Sequence, residues 1–180
     1  GGFRAPNGLL VTPEGECLTS DQEGHWMPAN KLIRIKPGGF NGNNWGWLPG
    51  GKRDSFELPI CWIHPSVDRS PSSLALVESD RWGLPRGSLL APSYGMGRVF
   101  LLMHEAVDGI EQGGVTPLPL DFSTGIMRGR FNPRDGQFYT GGSVWHTAIP
   151  DTAPWIEVDL GADYYLDRVM LWPRMDAAQG

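Results

Sequence analysis

The chain has 180 residues, 25 of them glycine and 16 proline, and its 15 basic and 20 acidic side chains leave a net charge of -5. Breakers at that density confine uninterrupted stretches to segments such as 72–82, 98–108 and 162–172, each about the length of one average helix, so helical architecture is excluded and an all-β, turn-rich fold remains. A net negative charge with no block of like sign removes the electrostatic basis for binding nucleic acid or an anionic membrane, and the longest apolar run, 99–103, falls far short of a membrane span.

In chain order, G-G-F-R-A-P-N-G shows neither the charged start nor the apolar stretch of a secretory signal. Leu9, Leu10 and Val11 then lead into the turn T-P-E-G-E and on to Cys17, Leu18 and Thr19, which predicts a hairpin. Further strands are expected at 32–36, 61–64, 74–78, 88–91, 98–104 and 114–118, separated by turn signals. The hairpin grammar returns at 126–131, where N-P-R-D-G-Q joins it to Phe138 and Tyr139. Cys17 and Cys61 make neither a disulfide framework nor a metal knuckle and read as buried free thiols. G-x-S-x-G is absent, so Ser-His-Asp hydrolysis has no support.

Repeated hairpins at this spacing fit a sandwich or a propeller. Propeller blades run about 40–50 residues and a closed ring needs at least about four, so residues 1–141 are expected to form an arc of about three four-stranded antiparallel blades with unpaired edges. An irregular β domain that closes on itself is the other reading.

Four segments in order carry a family resemblance: G-F-R-A-P-N-G-L-L-V-T-P-E-G-E, D-Q-E-G-H-W-M-P-A-N-K-L-I-R-I-K-P-G-G-F-N-G-N-N-W-G-W, S-P-S-S-L-A-L-V-E-S-D-R-W-G-L-P-R-G-S-L-L and R-G-R-F-N-P-R-D-G-Q-F-Y. Together they resemble the six-bladed propellers of the quinoprotein glucose/sorbosone dehydrogenase type. The resemblance implies a sugar or alcohol oxidation in the periplasm or outside the cell, with pyrroloquinoline quinone and calcium as cofactors and a sugar or polysaccharide as partner. It places Arg4, Arg128 and Arg130 as cofactor-binding residues, forked guanidinium groups suited to the carboxylates of the quinone. Arg4 and Arg128 equally suit a bridge between adjacent blades. The family's calcium loop aligns with residues 24–30, naming Gly24, His25 and Asn30 as the metal positions. Two departures stand out: Ala5 replaces the family Asn beside Arg4, and Met27 and Pro28 stand where an acidic pair precedes Asn30. The family's general-base His has no counterpart in this stretch, so no catalytic residue is assigned and no turnover is expected from these 180 residues alone. His64 and His104 have no catalytic companions, and Trp26, Trp45, Trp47, Trp62 and Trp82 read as blade-packing aromatics.

Beyond residue 141 the text changes. G-S-V-W-H-T-A-I-P-D-T-A-P-W-I-E-V-D-L-G resembles the middle of a discoidin-type (coagulation-factor type C) carbohydrate-binding domain, with Ile156, Val158 and Leu160 alternating against Glu157 and Asp159. Trp145 and His146 read as core and corner packing there. The expected organisation is thus a partial propeller over 1–141 and a partial discoidin-like sandwich over 142–180. The function that follows is a piece of a quinoprotein-like dehydrogenase, with a non-catalytic, glycan-attached binding module as the alternative.

Overall fold

Short apolar alternations between Gly and Pro turns form strands throughout, and a computed structural model describes residues 1–24, 27–44, 53–122, 124–141 and 165. The chain divides into two units, Gly1–Ser143 and Val144–Gly180. All elements below belong to the first; of the second only Tyr165 is described, so the discoidin-like segment, Trp145 and His146 lie outside the described residues. Among the described residues there is no helix, and so none long and apolar enough to cross a membrane.

The first sheet runs β1 (Asn7–Val11), β2 (Cys17–Asp21), β3 (Asn30–Arg34) and β4 (Cys61–Ile63), each antiparallel to its sequence neighbour. The second repeats that order with β5 (Ala75–Leu76), β6 (Leu89–Ser93), β7 (Arg98–Val107) and β8 (Ile110–Asp121). A third begins as the hairpin of β9 (Arg128–Phe131) and β10 (Phe138–Gly141). Two complete four-stranded meanders and the opening hairpin of another make a partial propeller of the expected all-β class.

Strand periodicity explains how the sheets stack. Leu89 and Ala91 of β6, with Phe100 and Leu102 of β7, turn toward the first sheet and pack on Leu18, Leu32, Cys61 and Ile63. Leu90 and Val99 point the other way, joining Ala75, Val77, Ile126 and Phe131 in a second core lined by Trp82 and Phe138. The middle sheet is therefore apolar on both faces, which is why β6 and β7 read as continuous hydrophobic runs rather than alternating ones. Truncating a side chain such as Leu90 or Phe100, both buried to within 1%, belongs to the class of core deletions that cost about 3–5 kcal/mol. Both cysteines are free, and burial pushes the Cys61 thiol up to about 11.

The sheets converge at the β1, β5 and β9 side. Gly8 adopts a positive φ of 78° at the register shift between β1 and β2, and a Cβ there would lie 2.6 Å from Ser73 Cα of the next blade. Ser20 Oγ of β2 donates to Ser72 O (2.7 Å), and Ser72 Oγ in turn lies 2.5 Å from Ile126 O, just ahead of β9. Asn7 of the first sheet meets Arg128 of the third directly, 121 residues away. A first and a third blade can touch past a second only near the axis about which blades fan, so this is the inner edge.

Candidate functional site

Buried polar groups gather where β2, β3 and the segment ahead of β5 meet, among them Asp21, Asn30, Lys31, Asp68 and Ser72. Asp21, at the end of β2, is fully buried. Its carboxylate accepts the backbone N–H groups of Arg4 (3.1 and 3.2 Å), Ala5 (2.7 Å) and Gln22 (3.1 Å), and Lys31 Nζ lies 3.5 Å away. Lys31, equally buried, donates to Asn41 O at 2.6 Å; desolvation holds its ammonium below the usual lysine range while the Asp21 charge works against that. A buried pair of this kind is anchored by its hydrogen bonds more than by Coulomb attraction. Its role is to fix the backbone at Arg4 and Ala5. Ala5 contributes an N–H rather than a side chain, so the replacement of the family Asn leaves this anchor intact.

Arg4 itself is exposed, its Nη1 donating to Gln22 Oε1 at 2.6 Å. Its alkyl stem lies over Gly24, where a Cβ would stand 2.7 Å from Arg4 Cδ. On the third sheet Arg128 and Arg130 share the face opposite Phe131, both exposed. Arg128 Nη1 donates to Asn7 Oδ1 (2.8 Å) and Met127 O (2.7 Å), and the residue also lines an open groove of about 450 Å³ with Phe3, Pro6 and Leu9. The fold brings Arg128 to Asn7, three residues along the chain from Arg4, and places Arg130 two residues along the same strand. Arg128 is at once a bridge between blades and an exposed cation. Among the described residues none of the three arginines pairs with a carboxylate, whereas Arg34 is bracketed by Glu16 and Glu111.

The loop expected to bind calcium is described except for residues 25 and 26. Asn30 is fully buried, its Oδ1 accepting from Glu23 N–H (2.9 Å) and its Nδ2 donating to Asp68 O (2.5 Å) in the next blade. Gly24 O accepts Met27 N–H at 2.9 Å, and His25 lies outside the described residues. Glu23 Oε2 is buried with no hydrogen-bond partner. Calcium takes six to eight oxygens; here the amide of Asn30 and the carboxylate of Asp21 are already engaged with N–H groups. Among the described residues no group of three His, Cys, Asp or Glu side chains is placed to hold a metal; Glu23 Oε2 is the carboxylate oxygen of this loop left without a partner.

Next to it, Asp68 is buried with its Oδ1 accepting the Ser93 hydroxyl (2.5 Å) and Ser70 N–H (3.2 Å). Burial raises its carboxyl above the ordinary range, against the lowering effect of the Ser93 hydrogen bond. Gln22 Nε2 reaches Ser70 Oγ at 2.8 Å, tying the β2–β3 loop to the second blade. Asn7 and Ser70 escape sequence reasoning because small polar residues beside Pro and Gly read as turn formers, and Gln22 because nothing in its acidic neighbourhood marks it. Of the tryptophans, Trp82 packs edge-on against Phe131 and Phe138 (5.2 and 5.6 Å between centroids) as a blade-packing residue, while Trp62 is 41% exposed. Trp26, Trp45 and Trp47 lie outside the described residues.

No family model matches the chain, and no curated protein matches it. Among solved structures it is similar to a glucose dehydrogenase (22% identity, TM-score 0.56, 77% of this chain and 42% of that one). It is similar also to an oxidoreductase from Thermus thermophilus described as a glucose dehydrogenase (23%, 0.56, 77% and 38%). A third is the soluble aldose sugar dehydrogenase of Escherichia coli in its apo-form (19%, 0.55, 77% and 42%). The chain thus spans about two fifths of the length of these structures. At this level of identity the likeness establishes the fold: the chain has the fold of part of the propeller seen in these structures.

Proposed function

We propose that the chain is part of a propeller that binds an anionic quinone of the pyrroloquinoline quinone class, in a periplasmic or extracellular protein that oxidises sugars or alcohols. The observation that carries the reading is the set of exposed arginines at the inner edge, Arg4, Arg128 and Arg130, unneutralised in a chain of net charge -5. Guanidinium groups on one edge with no carboxylate beside them suit a ligand that brings several carboxylates of its own. The sequence resemblance and the fold agree with this. When bound, the quinone supplies the two-electron acceptor that no side chain can provide. The chain's own part is to bind and orient: arginine forks take the carboxylates, and Asp21 holds the loop that presents Arg4.

A second reading, a non-catalytic propeller over 1–141 joined to a glycan-binding discoidin-type segment over 142–180, draws on the calcium loop, where Gly24 O and Asn30 Oδ1 accept hydrogen bonds from within the protein. Titration of the full chain with the quinone, with and without calcium, followed by the quinone's absorbance, separates the two. The dehydrogenase-type reading expects saturable binding that weakens about tenfold or more in Arg4→Ala and in Arg128→Ala, the loss of a charge-assisted contact. Absence of saturable quinone binding, with retention on a glycan array, is the outcome of the second reading and overturns the first.

A further inference from the structure

Four arginines of this chain are held in two chemically different ways. Away from the inner edge, carboxylates hold two: Arg34 donates to both oxygens of Glu111 (2.9 and 3.0 Å from Nε) and pairs with Glu16, and Arg86 pairs with Asp80 at 3.4 Å. At the inner edge, neutral amides hold Arg4 and Arg128 instead. Gln22 Oε1 accepts from Arg4 and Asn7 Oδ1 accepts from Arg128.

Each amide is itself tied at its other end, and each tie crosses to another blade. Gln22 Nε2 donates to Ser70 Oγ ahead of β5, and Asn7 Nδ2 donates to Met127 Sδ ahead of β9 at 3.1 Å. The amides cannot turn without losing that second bond. We propose that Asn7 and Gln22 are positioning residues, neutral struts that fix the Arg128 and Arg4 guanidinium groups while leaving their charge uncancelled for a polycarboxylate ligand.

An amide oxygen and a carboxylate oxygen orient an N–H equally well, but only the carboxylate carries charge. A carboxylate in either place would grip the arginine harder, since a hydrogen bond between two ionised groups is roughly twice as strong as a neutral one. It would also cancel the charge the ligand needs. In both arginines the strut occupies only Nη1, so among the described residues Nε and Nη2 remain available for a two-pronged contact. This inference rests on the anion-binding reading above and adds two residues to it.

The test sets apart grip and charge. In the full chain, Asn7→Asp and Gln22→Glu are compared with Asn7→Leu and Gln22→Leu by thermal unfolding and by calorimetric titration with pyrroloquinoline quinone and with citrate. Asn7→Asp and Gln22→Glu keep the oxygen that faces the arginine but lose the amide donor to Met127 or Ser70; each is expected to weaken binding of both anions about tenfold while lowering the unfolding midpoint less than its Leu counterpart. The Leu variants are expected to lower midpoint and affinity together, as loss of a structural bond does. A merely structural role predicts that affinity follows the unfolding midpoint in the same proportion in all four variants, and that result overturns the proposal. Wild-type binding of citrate but not of the quinone, with the same loss in the Asp and Glu variants, supports the struts and removes the quinone reading alone. A wild type that binds neither anion overturns both.

Discussion

Asp68 and Glu111 depart from ordinary carboxyl behaviour in opposite directions, and the reason is who shares their surroundings. Asp68 is buried at the seam of the first two blades, where the charge facing it is that of Glu23 and the groups relieving it are the Ser93 hydroxyl and the Ser70 and Arg69 backbone. Its folded carboxyl titrates above the unfolded one near 4, so the folded state binds the proton more tightly. The corresponding stability is complete below the unfolded value and is lost as pH rises through the folded one. Glu111, held down by hydrogen bonds to Arg34, has the reverse sign: its contribution is present above the ordinary glutamate range and is lost as pH falls through the folded value. Asp68→Asn, which keeps an oxygen facing Ser93, is expected to flatten the fall of the unfolding midpoint between weakly acidic and neutral pH. It should raise the midpoint at pH 7 by about 2–4 °C for each kcal/mol gained. Glu111→Gln should leave the neutral-to-alkaline profile lower and the acid limb flatter; scanning calorimetry across pH reads both. At this scale the sequence shows the arginines and hides their holders. Arg4 and Arg128 sit in quotable motifs, but that Asn7 would find its partner 121 residues on is a property of the folded axis and has no local signature.

The β9–β10 hairpin turns on a single small residue. Gly129 faces the ring of Phe138, and a Cβ at that position would press into the ring that rests on Trp82 and Phe131. Gly129→Ala is therefore expected to destabilise the chain by about 1–3 kcal/mol through overpacking, measured by urea unfolding. Combining it with Phe138→Leu should restore part of the loss, a non-additivity expected only of residues in contact. This hairpin and β1–β2 are legible because N-P-R-D-G-Q and T-P-E-G-E interrupt apolar runs with turn chemistry. Others are legible only in part. β7 and β8 reach well past the expected 98–104 and 114–118, meeting at a tight turn where Asp108 and Gly109 both take positive φ (51° and 77°). The polar residues beyond Met103 conceal that extension, since the hairpin tip has no core to pack on. Gly113, Gly114, Pro117 and Pro119 break the pattern of β8 in the same way. They are tolerated because β8 is the edge of its sheet, where a proline forfeits no ladder bond and deters pairing with another chain.

For the molecule as a whole, apolar contact holds neighbouring blades together while hydroxyls join all three at the axis. Ser72 is the middle link: its N–H donates to Pro92 O, and its hydroxyl lies between Pro92 O (2.8 Å) and Ile126 O (2.5 Å). Ser72→Ala should cost about 1–3 kcal/mol, the range for a buried carbonyl left unpaired. Hydrogen exchange should show β9 and β10 losing protection before β2 and β3; equal loss in all sheets would count against a linking role. The all-β class follows from glycine and proline density alone, and the propeller from motif order. The convergence of inner edges does not follow, because it depends on rotations between sheets that no single segment encodes. That convergence also sets a timetable. At a synthesis rate of roughly 5–20 residues per second, a contact spanning 121 residues waits on the order of ten seconds for its second half to emerge. The two sheets it straddles can close their own ladders in the meantime. Long-range closure is the slow step in β topologies, so Arg128 reaches its bearing on Asn7 only after both complete blades are in place. A nascent chain offers no aligned arginine pair to anions until the arc behind it is built.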